Sequence, residues 1–321
     1  MIDPIIFTIE IGNFTFSLAW YGVLAMLGVA VAALLTASEF KRRGQDPDYV
    51  WDSLLWVLPA GVIGSRIWFV LNETLGGNLR YIQNPIAILQ IKQGGLHYFG
   101  ALVFGFIAFY FYAKKMGLDF WLAMDAFAPG LLLGQAIARP ANFINQELYG
   151  QPTNLPWGIR IEAQHRIRPW NNMALYPEDL TRFHPTFAYE ILWNLFATGI
   201  LLILARKYKE KMKPGVVFGA WLILAGFGRN VIEFFRPDQP VFPGTGFSYS
   251  RLVAILMIII GVILILIKYM FLKISFIPAG PDEYHISPPL EVLLENKKEN
   301  TTQDEGDVRE TEAEEGRNQK E

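Results

Sequence analysis

Arg139 and Arg229 lie in stretches too apolar to hydrate a charge, and each is therefore a candidate for chemistry. A guanidinium presents paired N–H donors that match phosphate or carboxylate oxygens, and it stays charged at physiological pH. Inside a membrane helix such a charge costs roughly 2.5–3.5 kcal/mol on insertion scales, which makes it a functional candidate. Around Arg139, the run GQAIARPANFINQELYG (134–150) adds Asn142, Asn145 and Glu147 at a span boundary. Pro140 follows the arginine directly, which predicts a departure from helical geometry at Arg139 and the loss of one backbone donor. A broken helix at membrane depth is tolerated only inside protein or beside a wet cavity, so a polar headgroup is the expected partner. Glu233 follows Arg229 by one helical turn, either as an orienting partner in a site or as a plain ion pair.

The elements that must position these groups follow from composition. The chain has 321 residues, 52% apolar and 18% charged, with a mean hydropathy of +0.25. A soluble domain cannot hide that much apolar surface, which excludes an ordinary cytosolic enzyme. A bilayer core takes about 20 apolar residues per helix. Seven segments qualify, at 18–40, 51–72, 96–113, 120–142, 185–205, 215–235 and 249–272. The fold class read from this pattern is an all-α membrane protein of about seven transmembrane helices. Basic residues follow spans one, three, five and seven: Lys41 to Arg43, Lys114 and Lys115, Arg206 to Lys213, and Lys273. The positive-inside rule makes that face cytoplasmic, so the N-terminus is expected outside and the C-terminus inside. The first residues carry no basic region, and a cleaved signal peptide is not expected.

Residues 1–281 then form a polytopic membrane catalytic domain. Its 146–183 connection holds Pro152, Pro156, Pro169 and Pro177, and is read as a small extracytoplasmic cap or a pair of short strands. Residues 282–321 contain 13 acidic and 5 basic residues, against 17 and 23 in the remainder. That imbalance reads as a disordered, solvated cytoplasmic tail.

In this orientation Arg66, Arg139 and Arg229 lie toward the outer ends of the even spans. Tyr21, His97 and His184 open the odd ones. Six residues from six spans thus fall at similar depth in the outer half of the membrane. Each has a plainer reading. Arg66 could snorkel to the headgroups, Tyr21 with Trp20 could belong to an aromatic belt, and His97 could be a packed interfacial histidine. Two arginines at one depth imply an anionic ligand, and an outer-leaflet site open to lipid implies a phospholipid. The chain has no cysteine, which excludes disulfides, thiolate zinc and a cysteine nucleophile of its own. Its histidines are scattered at 97, 165, 184 and 285, so no metal or other cofactor is expected. No nucleic-acid partner is expected either. The alternative is a phospholipid or anion transporter using the same arginines, against which the odd span count and the lack of an internal repeat weigh.

These residues resemble the prolipoprotein diacylglyceryl transferases. The 134–150 run is similar to that family's signature segment, with Arg139, Asn142, Asn145, Glu147 and Gly150 in place. Gly64-Ser65-Arg66 resembles its G-x-R motif. His184-Pro185-Thr186-Phe187-Ala188-Tyr189-Glu190 resembles its H-P-x-x-x-Y-E motif, and RNVIEFFR (229–236) its R-x-x-x-E-F-F-R stretch. Tyr21 matches the tyrosine of its first span. Three departures stand out. The family often has a histidine where Phe99 stands here, with His97 two places earlier. Pro140 and Ala141 replace a bulkier residue and a glycine, and Arg251 stands where glutamine is usual.

The resemblance implies an enzyme of the bacterial plasma membrane, multi-pass, with its active site toward the outer leaflet. It implies transfer of the diacylglyceryl group of phosphatidylglycerol to the lipobox cysteine of a prolipoprotein signal peptide. A thioether forms and glycerol 1-phosphate leaves. Arg139, Arg229 and His97 would be catalytic. Tyr21, Arg66, Asn142, Asn145, Glu147, Gly150, His184, Glu190 and Glu233 would bind substrate.

Overall fold

A backbone crossing hydrocarbon must satisfy its own N–H and C=O groups, and the apolar runs of this chain do so as helices. The computed structural model describes residues 2–12, 14–90, 95–236, 239, 241–242, 244–273 and 282–296. Residues 297–321, most of the stretch expected to be a solvated tail, lie outside the described residues. The chain opens with an antiparallel hairpin of β1 (Ile5–Ile11) and β2 (Phe14–Ala19), in which Thr8 faces Ser17. It continues through α1 (Trp20–Arg42), α2 (Asp48–Leu75), the single turn α3 (Arg80–Gln83) and a 3₁₀ turn at Pro85–Leu89. Next come α4 (Tyr98–Met116), α5 (Phe120–Ala138), the short α6 (Pro140–Ile144), α7 (Thr186–Lys207), α8 (Val216–Glu233) and α9 (Tyr249–Lys268).

With α5 and α6 taken as one, seven helices among the described residues are long and apolar enough to cross a membrane. The all-α membrane architecture is as read, with ends displaced by a few residues. The hairpin was not expected. Its apolar residues run straight into the first span, where a short strand and a helical extension look alike.

The chain divides into two compact units. The first comprises residues 1–39 and 121–284. Here α5 is the most enclosed span, with 56% of its apolar window buried, against 17% for α9. Small residues let it approach α1. A Cβ added at Gly28 would lie 2.6 Å from the Gly134 carbonyl oxygen, and one at Gly130 2.7 Å from that of Ala32. Spaced four apart on both helices, these positions bring backbones together and leave no room for a methyl group. The α8–α9 contact is built the same way, with Gly226 against Ala254 and Gly261 against Gly219.

Ionisable residues inside this unit are matched within it. Asp125 of α5, fully buried, accepts the backbone N–H groups of Gly215 (2.6 Å) and Phe218 (2.7 Å) and the Tyr284 hydroxyl (2.7 Å). The carboxylate thereby caps the start of α8, where unpaired N–H groups favour negative charge. Buried Glu39 takes the Arg206 guanidinium at 2.8 Å.

The 146–183 connection is a compact cap held by isolated bridges, Pro152 and Ile159 each facing Phe183, with one 3₁₀ turn at Ala163–His165. Tyr149, Ile161, Trp170 and Phe183 form its buried core. Buried Arg166 ties two strands of chain together by donating to the carbonyls of Ile161 and Tyr176, both at 2.8 Å.

The second unit comprises residues 40–120 and 285–321. In it, α2 packs on α4 through Gly61 and Gly64 against Gly100 and Ala101. The start of the stretch read as a solvated tail is pinned to this unit. Ser287 N–H donates to the Gln45 side chain (3.0 Å) and Ser287 Oγ to the Gly117 carbonyl (2.7 Å). Tyr49 donates to the Pro288 carbonyl (2.7 Å) and Leu290 N–H to Asp46 (2.8 Å). Ser287 and Leu290 are buried, and 290–296 is helical. Four hydrogen bonds at about 1 kcal/mol each make this strap part of the fold. A chain ending at residue 281 should therefore melt roughly 5–10 °C below one ending at residue 296. Equal melting temperatures in detergent would show the strap to be superficial.

Candidate active site

Arg139 joins α5 to α6. Against expectation its backbone stays helical (φ −61°, ψ −32°), and its N–H reaches the Gln135 carbonyl at 3.2 Å. Pro140 is tolerated because it occupies the first position of α6, where its missing donor is needed least. The chain turns later, at Gln146 and Leu148, whose φ angles of 53° and 55° lie in the left-handed region. Non-glycine residues seldom adopt it, and here surrounding contacts enforce it. Buried Gln146 accepts the Glu162 N–H at 2.8 Å, and the Thr186 hydroxyl donates to the Leu148 carbonyl.

That turn carries Gly150 into a junction of three segments. Its N–H donates to the His184 carbonyl at 2.8 Å, and the next N–H, of Gln151, donates to that of Phe235 at 3.0 Å. A Cβ on Gly150 would lie 2.6 Å from the Phe235 oxygen and 2.9 Å from the His184 Cβ. Gly150 was read as a substrate-binding residue. In the structure it permits the starts of α7 and the end of α8 to meet the signature segment.

The junction assembles one polar network. Glu190, on the first turns of α7, pairs through Oε2 with Arg139 Nε, and its Oε1 lies 3.7 Å from Arg229 NH1. Arg139 also donates to Asn142 Oδ1 at 3.3 Å. Asn142 (2.9 Å) and Asn145 (3.1 Å) both donate to Glu147 Oε1, so the signature segment closes on itself around the arginine. On α8, Arg229 meets buried Glu233 at 2.8 Å, a contact that both readings of this pair require. Two further partners were not foreseen: Ser250 Oγ accepts from Arg229 Nε (2.6 Å) and Gln239 Oε1 from NH2 (2.8 Å). Ser250 stands beside Arg251, already conspicuous as a departure, whose guanidinium lies 4.4 Å over the Phe234 ring.

His184 lies at the edge of this network. The Trp157 indole N–H donates to the Tyr189 hydroxyl (2.8 Å), leaving the Tyr189 proton for His184 Nδ1 at 3.0 Å. That arrangement needs an unprotonated Nδ1. Burial pushes His184 below the ordinary histidine range, in the same direction. A cavity of about 500 Å³ opens here between α7 and α8. Its walls are mostly apolar and include Trp193, Phe196 and Phe235, which suits hydrocarbon better than a headgroup. Gly228 and Tyr189 in its lining are the chain neighbours of Arg229 and Glu190. Tyr21 is half-exposed at the start of α1 and stands outside the network.

Arg66 and His97 belong to the second unit. Buried Arg66 donates to four backbone carbonyls: Ile88 (2.7 Å), Ala87 (2.8 Å), Gly95 (3.0 Å) and Gln90 (3.4 Å). It clips residues 87–90 and Gly95 onto α2 with all three guanidinium nitrogens engaged. His97 N–H is held by the Ser65 carbonyl (3.1 Å), and its Nδ1 accepts the Phe99 N–H (3.3 Å), capping α4. A neutral ring used this way carries its proton on Nε2. No cluster of three or more metal-ligating side chains occurs among the described residues.

A family model described as prolipoprotein diacylglyceryl transferase matches residues 4–267. The chain is 35% identical over 280 residues to the phosphatidylglycerol–prolipoprotein diacylglyceryl transferase of Chloroflexus aggregans, covering 83% of this chain and 90% of that one. It is 36% identical over 258 residues to the protein of the same name from Leifsonia xyli, covering 79% and 75%. Against that of Halalkalibacterium halodurans it is 35% identical over 261 residues, covering 81% and 85%.

Two outcomes follow from the junction. Gly150→Ala should lower stability by roughly 1–3 kcal/mol through overpacking, read as a fall in melting temperature. An unchanged melting temperature would mean that the three segments have slack. For His184, the folded state favours the neutral ring. Its stabilisation is present above the ordinary histidine pKa of about 6.5 and is lost as pH falls below it. Between pH 8 and pH 5 the wild type should therefore lose more thermal stability than His184→Gln, and parallel losses would remove His184 as the cause.

Proposed function

The chain belongs to the prolipoprotein diacylglyceryl transferase family, and from that membership we propose how its side chains divide the reaction. It transfers the diacylglyceryl group of phosphatidylglycerol to prolipoprotein in a membrane. In our reading the acceptor is the thiol of a lipobox cysteine in the signal peptide. Its sulfur attacks the glyceryl carbon bonded to the phosphate oxygen. The carbon–oxygen bond breaks with its electron pair going to that oxygen, leaving a thioether and glycerol 1-phosphate. This chain has no cysteine, so the reacting sulfur comes from the substrate.

Thiol activation is the lesser problem. An unperturbed thiol of pKa near 8.5 needs only about 2 kcal/mol for deprotonation at pH 7. The leaving group is harder, because a phosphodiester monoanion becomes a monoester dianion. Fixed cationic donors in a water-poor site act most strongly where charge develops. We assign the phosphate to Arg139 and Arg229. The observation carrying this is that both guanidiniums converge on one acidic side chain, Glu190, so that a single anion placed there reaches both. Asn142 and Glu147 fix Arg139 and border the glycerol headgroup, with Asn145 supporting Glu147. Glu233 and Ser250 orient Arg229. His97, its Nδ1 engaged as a helix cap, is poorly placed to accept a proton and serves to form the start of α4.

The positive-inside rule supports placing Lys41, Lys114, Lys207 and Lys268 toward the cytoplasm. The arginine network then faces the outer leaflet, with the 146–183 cap above it and the N-terminal hairpin on the same side. The catalytic domain is the helical body, and the strap holds its cytoplasmic side.

The test is an assay of purified protein with phosphatidylglycerol vesicles and a synthetic lipobox peptide, following glycerol phosphate and lipidated peptide together. Wild type should yield both. Arg139→Ala should lose at least about two orders of magnitude, as expected for removing a charge-stabilising donor. His97→Ala should lose less. A dead His97→Ala beside an active Arg139→Ala would overturn the electrostatic assignment.

A further inference from the structure

Glu190 occupies the place that the phosphate needs. Its carboxylate spans Arg139 Nε and Arg229 NH1. The other sides of the guanidiniums are taken by Asn142, Ser250, Gln239 and Glu233. A phosphate reaching both arginines must compete for the donors that Glu190 now uses. Two anions cannot share them, because like charges within about 4–6 Å strongly disfavour one another.

We propose that Glu190 is a resident counter-anion that the lipid phosphate displaces and that returns to the arginines as the product leaves. This rests on the assignment of the phosphate to Arg139 and Arg229. Such an exchange keeps two largely enclosed cations compensated throughout, since breaking a buried pair by removing one partner leaves an uncompensated charge out of water. It also addresses product release. Glycerol phosphate leaves as a dianion, which the arginines hold more tightly than the diester monoanion that entered. A tethered carboxylate competing for the same donors weakens that hold. Glu233 has a different position. It is on the same helix as Arg229, buried, and its carboxylate pairs with that arginine. The charges acting on Arg229 are Glu233, Arg236, Glu190 and Arg139, so any neutralisation shifts the field, but among the described residues only Glu190 contacts both guanidiniums.

The sign of the effect separates this role from a structural one. A carboxylate that merely positions the arginines would weaken phosphate binding when neutralised. A competitor strengthens it. Glycerol 1-phosphate would be titrated by calorimetry onto the purified full-length chain in nanodiscs, comparing wild type, Glu190→Gln, Glu233→Gln and Arg139→Gln. Glu190→Gln should tighten binding about five-fold or more, and more than Glu233→Gln does. Arg139→Gln should weaken it about ten-fold. Unchanged or weaker binding by Glu190→Gln, with Arg139→Gln weakened, overturns the proposal and leaves the phosphate assignment standing. Unchanged binding by Arg139→Gln overturns that assignment and the proposal with it. If Glu190→Gln does not fold, Glu190→Asp decides. It keeps the charge but is one methylene too short to span both guanidiniums, so binding should tighten by a smaller factor, and weakening overturns the proposal.

Discussion

Charge enclosed in a membrane bundle has to be balanced from inside the bundle, and the first unit is organised around that requirement. A lone ion in such surroundings carries an effective penalty of several kcal/mol. Arg139 and Arg229 avoid it through Glu190 and Glu233, Asp125 through the start of α8, and Glu39 through Arg206. Apart from Arg229–Glu233, which lies within α8, these contacts join residues distant in the chain, so forming them selects which helices lie together. The polar network is therefore a reason why α5, α7 and α8 meet.

Holding that network needs close and inflexible packing. The glycine contacts between α1 and α5 and between α8 and α9 bring backbones together where a methyl group would not fit. The cap contributes in another way. Its buried aromatic core and the Arg166 tie keep the segment from Gly150 to Phe183 in one conformation. Strain at Gln146 and Leu148 is sustained by these surroundings, and through them the signature segment is presented to Glu190.

Hydropathy located all seven spans because bilayer thickness imposes a length on each, and the contiguous residues Arg139, Asn142, Asn145 and Glu147 could be read together for the same reason that they act together. What sequence could not supply was pairing across elements. Ser250, in the first turn of α9, and Gln239, beyond the end of α8, reach Arg229, and neither residue is unusual on its own. Asp125 was missed for a different reason. It met the criterion that singled out the arginines, an ionisable group within a span, but lacked a motif around it. Gly150 was picked by resemblance, while its physical basis is steric and appears only when His184 and Phe235 are in place. The strap was hidden by averaging: the acidic excess of 282–321 masks a short beginning, YHISPPL, that has the aromatic and apolar groups to be bound.

The strap also gives the chain a timetable. Gln45 and Ser287 are hydrogen-bonded across a separation of 242 residues. At about 5–20 residues per second, a ribosome takes roughly 12–50 s to pass from one to the other. Throughout that interval residues 45–49, and Gly117 once it is made, lack the partner they later acquire. The second unit is thus completed after synthesis of the first is nearly over, although its helices were made earlier.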